Sequence, residues 1–264
     1  MTSLLAASIS CCLYRNTLRT IDLIIAYSGT ATRMSTKPPR LPAAKITTMT
    51  YLVLFVFGAI IILLFEHNHA FQNMTWHKSL FYALFQSATT RSAGLQTIDV
   101  SNFGEGTNVI MSVLMFIGSS PSSVGGGIRT TTFAILILFL LNFSNNNEKT
   151  SIKAFNREIH TTDVQRSFAV FTMAGILTFA GTITILVVEN GKISFLQAFF
   201  EVMSAFGTCG LSLGVTDDIS GMSKIVLMVL MFIGRVGLIS FIIMIGGRRE
   251  PDKYHYPKER IQIG

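Results

Sequence analysis

Residues 113–118 read VLMFIG, and residues 229–234 read VLMFIG again, 229 − 113 = 116 positions later. A short glycine motif precedes each copy, SAGL at residues 92–95 and TCGL at residues 208–211, and its glycines are also 210 − 94 = 116 positions apart. Six identical residues at a fixed distance from a second matched motif are hard to obtain by chance. We therefore interpret the chain as an internal duplication, a pattern that decides the architecture of a protein.

Composition indicates that this duplication lies in a membrane. Half of the 264 residues are hydrophobic, only 13% are charged and the mean hydropathy is +0.52, whereas soluble domains carry about 25% charged residues. Residues 50–65, 168–188 and 225–233 contain no charge, and about 20 apolar residues in a helix span roughly 30 Å of hydrocarbon. Because these runs lack the polar stripe of a soluble core helix, we predict an all-α integral membrane protein.

Each half of the duplication contains the same order of apolar segments. A long outer helix is predicted at residues 48–65 and again at residues 167–188. A shorter, aromatic-rich segment follows at residues 77–88 and at residues 194–205, and it is too short to span the bilayer. These shorter segments are predicted to be re-entrant pore helices.

A stretch of small residues follows each pore helix, and an inner helix is predicted to begin near Asn108 and near Ser223. We name the two stretches the first glycine loop, residues 89–95, and the second glycine loop, residues 206–211. Irregular backbone at membrane depth is tolerated only where it is buried in protein or lines a water-filled cavity. The two loops are therefore predicted to face a polar pathway, which gives two tandem repeats of outer helix, pore helix, filter loop and inner helix.

This plan divides the chain into an atypical N-terminal segment 1–46, a first repeat 47–145 with a broken inner helix, a linker 146–165, a second repeat 166–247 and a tail 248–264.

Basic residues are concentrated in the N-terminal segment, the linker and the tail, whereas the loops on the other side carry few. That asymmetry is typical of cytoplasmic segments. We predict a multi-pass protein of the cell (plasma) membrane with a cytoplasmic C-terminus. The net charge of +7 then indicates contact with the lipid bilayer and not with nucleic acid.

Main-chain carbonyls of the glycine loops are candidate ligands for a dehydrated monovalent cation, because rings of carbonyls form ion-selective filters. The partly negative C-termini of the pore helices would point to the same place. Arg91 lies beside the first loop, but Gly207 occupies the matching position, so no basic ring for anions forms and Arg91 is expected to pack against the outer loop. The predicted filter residues are Ser92, Ala93, Gly94, Thr208, Cys209 and Gly210.

The two inner helices differ after VLMFIG. Residues 118–127 read GSSPSSVGGG, and serine, proline and three glycines break a helix; we name this segment the helix break. In the second half Arg235 follows VLMFIG directly, and an arginine at membrane depth is a functional candidate by default. We expect it to bind carbonyls of the helix break and to form a barrier below the filter; an ion pair with Glu201 is the alternative. The predicted gate residues are Gly118, Ser119, Pro121, Gly125, Gly126, Gly127 and Arg235.

Five stretches carry a resemblance to a known family: FQSATTRSAGLQT at 85–97, GSSPSSVGGGIRTTT at 118–132, FEVMSAFGTCGLSLG at 200–214, GRVGLI at 234–239 and YHYPKERIQIG at 254–264. From about residue 45 to the end, the chain resembles the Ktr/Trk/HKT superfamily of potassium-translocating subunits, the KtrB-like branch most closely. The resemblance implies four membrane–pore–membrane repeats, of which this chain contains the third and fourth. It also implies potassium as the substrate, no cofactor, a homodimer, and a KtrA-like cytoplasmic ring that binds nucleotides.

Two repeats supply only half of a four-sided filter, so three explanations stay open. Two chains assemble one pore, a separate chain supplies the missing half, or the product is a truncated non-conducting fragment or a membrane scaffold for a regulatory subunit. A membrane-embedded enzyme is disfavoured, because the histidines all lie in predicted loops or flanks. They are His67, His69, His77, His160 and His255.

Overall fold

The computed structural model describes residues 41–67, 69–72, 74–91, 93–120, 123, 125–144, 153–154, 157–158 and 160–238. These residues contain seven α-helices: α1 Leu41–Glu66, α2 Trp76–Thr89, α3 Glu105–Phe116, α4 Thr130–Ser144, α5 Thr161–Glu189, α6 Phe195–Gly207 and α7 Gly221–Val236. A 3₁₀ turn lies at Val100–Asn102. Two-residue antiparallel strands, Lys153–Ala154 and Arg157–Glu158, lie in the predicted linker. The predicted all-α class is confirmed, and this strand pair was not predicted.

The two outer helices are longer than hydropathy predicted. They cover Leu41–Glu66 and Thr161–Glu189, whereas the apolar pattern marked 48–65 and 167–188. The additional residues include Lys45 in α1 and Asp163 and Arg166 in α5. A helix needs backbone hydrogen bonds, not apolar side chains, to continue. Asp163 in the first turn of α5 favours a helix start there, because a carboxylate stabilises the positive end of the helix dipole.

The two helices that correspond to the predicted pore helices, α2 and α6, are too short to cross a bilayer. α2 has 14 residues and α6 has 13, so each is about 20 Å long at 1.5 Å per residue, against roughly 30 Å of hydrocarbon. α6 begins with a capping box, in which the Gln197 side chain accepts the Ser194 N–H at 3.0 Å and so fixes the start of the helix. Between α3 and α4, the described residues of the helix break are not helical.

The outer helices present apolar side chains outward. Two spans, Ile46–Glu66 and Thr161–Glu189, are long and apolar enough to cross a membrane, and only 22% and 33% of their apolar windows are buried. On α1, Leu52, Phe57 and Leu64 are each more than half exposed. A core helix of a soluble protein would bury such side chains, so the surface of the bundle requires an apolar solvent.

The buried core surrounds α6, which packs against α3, α5 and α7. Its side chains Phe200 and Phe206 are completely buried. On the other side of the core, α1 packs against α2, α3 and α4. Because α3, α5 and α7 pack around α6, its C-terminal end lies in the interior of the molecule.

A buried carboxylate joins the C-terminal end of α1 to the start of α3. Glu66 is fully buried, and its side chain accepts the N–H of Gly104 at 2.9 Å, the N–H of Ala70 at 3.2 Å and the hydroxyl of Thr107. Gly104 is the N-cap of α3, whose first N–H groups have no partner within the helix. Glu66 therefore satisfies the N-terminus of α3 and fixes it against α1.

The same arrangement recurs in the second half. Glu189, the last residue of α5, accepts the N–H of Ser220 at 2.8 Å and the hydroxyl of Ser223 at 2.6 Å, at the start of α7. The paired donor positions are separated by 220 − 104 = 116 and 223 − 107 = 116. The spacing of the sequence motifs is thus found again in contacts between outer and inner helices.

Replacing Glu66→Ala is expected to lower the free energy of unfolding by about 2–3 kcal/mol, because hydrogen bonds to a charged acceptor are lost and buried donors are left without a partner. Thermal unfolding of the detergent-solubilised chain measures this as a fall in Tm. Glu105→Ala is the matched control, since Glu105 is exposed in the first turn of α3. Equal Tm values for the two variants would contradict the role assigned to Glu66.

Candidate functional site

The first glycine loop is organised by the last residue of α2. The N–H groups of Ala93 and Gly94 donate to the Thr89 carbonyl at 3.3 and 3.4 Å. The Thr89 hydroxyl accepts the Leu95 N–H and donates to the Leu95 carbonyl, both at 2.9 Å. Gly94 has φ of +63°, in the left-handed region that glycine adopts without strain. Ser92, the remaining predicted filter residue of this loop, lies outside the described residues.

The second glycine loop leaves α6 through a left-handed residue that is not glycine. Thr208 has φ of +50° and donates its N–H to the Ala205 carbonyl at 3.1 Å. The Cys209 N–H donates to the Ser204 carbonyl at 3.0 Å, and Gly210 has φ of +86°. The last turn of α6 therefore ends tightly, with two left-handed residues within three positions.

The two loops are in direct contact. A Cβ added to Gly94 would meet the main-chain oxygen of Cys209, and the Cys209 thiol donates to the Thr90 carbonyl at 2.8 Å. Where the chain leaves the loops, the Gln96 amide donates to the Ser212 carbonyl at 3.3 Å. The structure therefore brings together the described members of the predicted filter from both halves of the chain.

The helix break folds back on itself after the C-terminal end of α3. The Ile128 N–H donates to the Phe116 carbonyl at 3.1 Å, and a Cβ added to Gly118 would meet the carbonyl oxygen of Gly126. The two arms of the break therefore lie side by side, with backbone against backbone. Pro121, which the sequence placed in the gate, lies outside the described residues.

The helix break also contacts both glycine loops. The Gly126 N–H donates to the Thr208 hydroxyl at 2.8 Å, and a Cβ added to Gly126 would lie 3.0 Å from the Phe206 carbonyl oxygen. A Cβ added to Gly125 would lie 3.2 Å from the Arg91 carbonyl oxygen. The described residues of the helix break and the two glycine loops therefore form one continuous group of contacts.

Arg235 lies in the last turn of α7 with an exposed side chain. Within the described part of the chain, no hydrogen bond joins it to the helix break, and the alternative ion pair with Glu201 is also not formed. The Glu201 carboxylate instead accepts the hydroxyls of Ser212 and Thr216 at 2.5 and 3.1 Å and the N–H of Leu213 at 3.2 Å. It holds the chain that follows the second glycine loop.

Sequence reasoning missed the partner of Arg91. Its side chain is completely buried, and its guanidinium carbon lies 5.1 Å from the centroid of the Tyr51 ring on α1. The expected packing against the outer loop is therefore replaced by packing on the outer helix. In the sequence, Tyr51 is a single aromatic residue near the start of the apolar run 50–65. That position alone does not identify it as the partner of Arg91.

A pocket of about 400 Å³ lies where the chain leaves the two glycine loops. Its polar lining consists of Gln96, Asp99, Ser101, Ser212, Thr216 and Asp217. Both aspartates are exposed. No motif had drawn attention to this pocket, because its residues come from two segments that only the fold brings together.

The structure combines two long apolar helices with shorter helices whose C-terminal ends lead into two glycine loops in contact with each other. These features are those of a helical membrane protein. A family model described as TrkH, cation transport protein, matches residues 41–254. The chain belongs to the TrkH family of cation transport proteins. The resemblance to the Ktr/Trk/HKT superfamily seen in the sequence motifs is confirmed.

Potassium uptake appears in the names of several curated relatives. Ktr system potassium uptake protein D of Bacillus subtilis (strain 168) is 51% identical over 220 residues, which are 83% of this chain and 48% of the relative. Ktr system potassium uptake protein B of Vibrio alginolyticus is 32% identical over 222 residues, with coverages of 83% and 48%. The chain thus spans about half the length of these relatives.

A solved structure has the same fold. The crystal structure of the potassium transporter TrkH from Vibrio parahaemolyticus superposes with a TM-score of 0.64 at 20% sequence identity, over 75% of this chain and 43% of that chain. At this identity the similarity establishes the arrangement of helices. Again the matched region is less than half of the other protein.

Gly94→Ala is expected to lower the Tm more than Gly210→Ala. Both substitutions place a side chain in the left-handed region, at a cost of about 1–2 kcal/mol. Only the Cβ of the first would also collide with a carbonyl oxygen, because nothing lies within 4 Å of a Cβ at Gly210. Gly191→Ala, with φ of +84° and no neighbour within 4 Å, is the control. Equal losses in all three variants would show that the loop contact adds nothing.

Proposed function

We propose that this chain forms one half of the pore of a Ktr/Trk-type potassium uptake system. The contact between the two glycine loops carries the proposal, because it places two irregular backbone segments together at the C-terminal ends of half-length helices. Irregular backbone at this depth belongs beside a water-filled space, and main-chain carbonyls there are ligands for a dehydrated cation. The names of the relatives support potassium as that cation.

In this proposal the filter ligands are the main-chain carbonyls of Ser92, Ala93, Gly94, Thr208, Cys209 and Gly210. Left-handed backbone at Gly94 and Gly210 supports it, since such residues turn successive carbonyls away from the directions they take in a helix. The negative ends of the α2 and α6 dipoles add favourable potential for a cation. Potassium is the substrate, and the mechanism requires no resident cofactor.

The helix break and Arg235 act as the gate in this proposal. The hydrogen bond from the Gly126 N–H to the Thr208 hydroxyl supports it, because a segment bonded to the filter loop blocks the space next to it. Arg235 follows Gly234, where a Cβ would meet the Phe206 carbonyl oxygen. The exposed side chain of Arg235 is therefore attached to the backbone next to the start of the second glycine loop. Its positive charge would repel cations there.

Two glycine loops supply two sides of a four-sided filter, so two further loops have to complete the ring. We propose that a second copy of the chain or a separate chain corresponding to the other half does so, within the bilayer. A homodimer on a KtrA-like nucleotide-binding ring at the cytoplasmic side is the assembly that the family resemblance implies.

A second candidate is a truncated, non-conducting fragment or a membrane scaffold for a regulatory subunit. The number of glycine loops favours it, because the described residues supply two, whereas a potassium-channel filter is formed by four loops. Such a chain would insert in the membrane and bind its partners, but would not increase potassium uptake.

Potassium uptake in a strain that lacks its own uptake systems separates the two candidates. The chain is expressed alone and together with the first half of the Bacillus subtilis relative, and growth and rubidium uptake are measured at low potassium. We expect rescue in at least one arm, and its loss in Gly210→Ala with protein levels unchanged. Gly191→Ala is the control, because it has the same backbone conformation outside the loops. Membrane insertion without rescue in either arm would support the non-conducting candidate.

Removing the proposed barrier is expected to raise potassium flux. A variant that combines Arg235→Ala with deletion of residues 125–127 removes both the charge and the arm bonded to Thr208, so the unregulated rubidium uptake should increase several-fold, in line with the role of charges and constrictions in pores. Arg166→Ala, at an exposed arginine of α5, is the control. Unchanged flux would eliminate the gate from the proposal.

A further inference from the structure

A buried cation in the first glycine loop, the Arg91 guanidinium, has no hydrogen-bond acceptor among the described residues. Arg91 is completely buried, and among the described residues its Nε, Nη1 and Nη2 atoms have no hydrogen-bond acceptor. The guanidinium carries five N–H donors, and a buried charge without compensation is strongly unfavourable. The filter and gate of the proposed function do not use this side chain. Some other interaction must therefore offset the cost of keeping it in place.

The Tyr51 ring provides that interaction. The guanidinium carbon lies over the ring at 5.1 Å from its centroid, within the distance of about 6 Å at which a cation–π attraction operates. This attraction strengthens when the pair is removed from water. Because Tyr51 belongs to α1 and Arg91 to the first glycine loop, the contact joins the loop to the outer helix.

Arg91 lies at the point where three segments of the site meet. The carbonyl of the preceding residue, Thr90, accepts the Cys209 thiol of the second glycine loop. The carbonyl of Arg91 itself packs against Gly125 of the helix break, and Gly94 packs against Cys209. A shift of the Arg91 backbone would therefore displace the first loop relative to both the second loop and the break.

We propose that Arg91 is a positioning residue whose buried cation, held on the Tyr51 ring, fixes the first glycine loop against the second. The charge is essential to this role, because an apolar side chain of similar length would fill the space without being drawn to the ring face. The consequence for ion selection rests on the proposed function. The positioning of the two loops does not, because it concerns contacts that exist whether or not the chain conducts.

The Cys209 thiol reports on this contact, since it is buried and bonded to Thr90. Membranes containing the full chain are treated with N-ethylmaleimide, and peptide mass spectrometry follows Cys209 separately from Cys11 and Cys12. We expect Arg91→Met and Tyr51→Leu each to accelerate Cys209 modification by about tenfold, since local opening of a loop follows the loss of a contact of this strength. The double variant should be no faster than either single variant, because the two changes remove one interaction.

Conservative variants separate the effect of charge from that of packing. Tyr51→Phe keeps the ring face, so its Cys209 reactivity should be closer to that of the original chain than the reactivity in Tyr51→Leu is. Arg91→Lys keeps the cation, so its Cys209 reactivity should be closer to that of the original chain than the reactivity in Arg91→Met is. Phe57→Leu, at an exposed ring of α1, is the matched control and should change nothing. Unchanged Cys209 reactivity in Tyr51→Leu, or equal reactivity in Arg91→Lys and Arg91→Met, would overturn the proposal.

The labelling result does not depend on transport. If the original chain shows no rubidium uptake in either arm, the proposed function fails and the labelling rates alone decide the role of Arg91. If the chain does transport, the ratio of potassium to sodium uptake should fall in Arg91→Met and Tyr51→Leu and remain unchanged in Tyr51→Phe. A ratio that stays constant while Cys209 becomes reactive would overturn the link from this contact to ion selection.

Discussion

Backbone that leaves the helical conformation inside a membrane needs hydrogen-bond partners, because no water is available in the hydrocarbon to replace them. The site meets this requirement with three small side chains. The Thr89 hydroxyl bonds both main-chain groups of Leu95, the Thr208 hydroxyl accepts the Gly126 N–H, and the Cys209 thiol donates to a carbonyl of the first loop. Two of these bonds join different segments, so each loop holds its conformation only with the others in place.

The same requirement explains the small residues of this region. A Cβ on Gly94 would meet the Cys209 carbonyl oxygen, one on Gly118 would meet that of Gly126, and one on Gly234 would meet that of Phe206. In each case a carbonyl oxygen occupies the space that a side chain would need. The segments therefore approach through backbone alone, and main-chain oxygens become the principal polar groups at their junction. This is the physical ground for proposing that a cation, and not an anion, is accommodated there.

The sequence was sufficient to predict the helices and the proximity of the loops, because hydropathy and repeat spacing are properties of the chain itself. It was not sufficient for the arginines. Arg235 was expected to bond the helix break and is exposed, while Arg91 was expected at the outer loop and lies on Tyr51. The direction of a long side chain depends on which neighbouring helix it meets, and spacing along one chain does not contain that information. For the same reason the pocket between Asp99 and Asp217 was not predicted.

Contacts between outer and inner helices recur even where the lengths of the connecting segments differ. A Cβ on Gly58 would lie 2.9 Å from Leu114, and one on Gly181 would lie 2.8 Å from Leu230. The two outer-helix glycines are 181 − 58 = 123 positions apart, and the two inner-helix leucines are 230 − 114 = 116 positions apart. The first half therefore has seven additional residues between its glycine and its leucine. The packing of the glycine on the leucine is nevertheless equivalent in the two halves. Helix packing thus tolerates the change in length. The two halves differ instead in the first glycine loop and in the helix break. The residue 116 positions after Arg91 is a glycine, and the residue 116 positions after Ser119 is Arg235. In a duplicated scaffold, such differences mark where the two halves have acquired separate tasks.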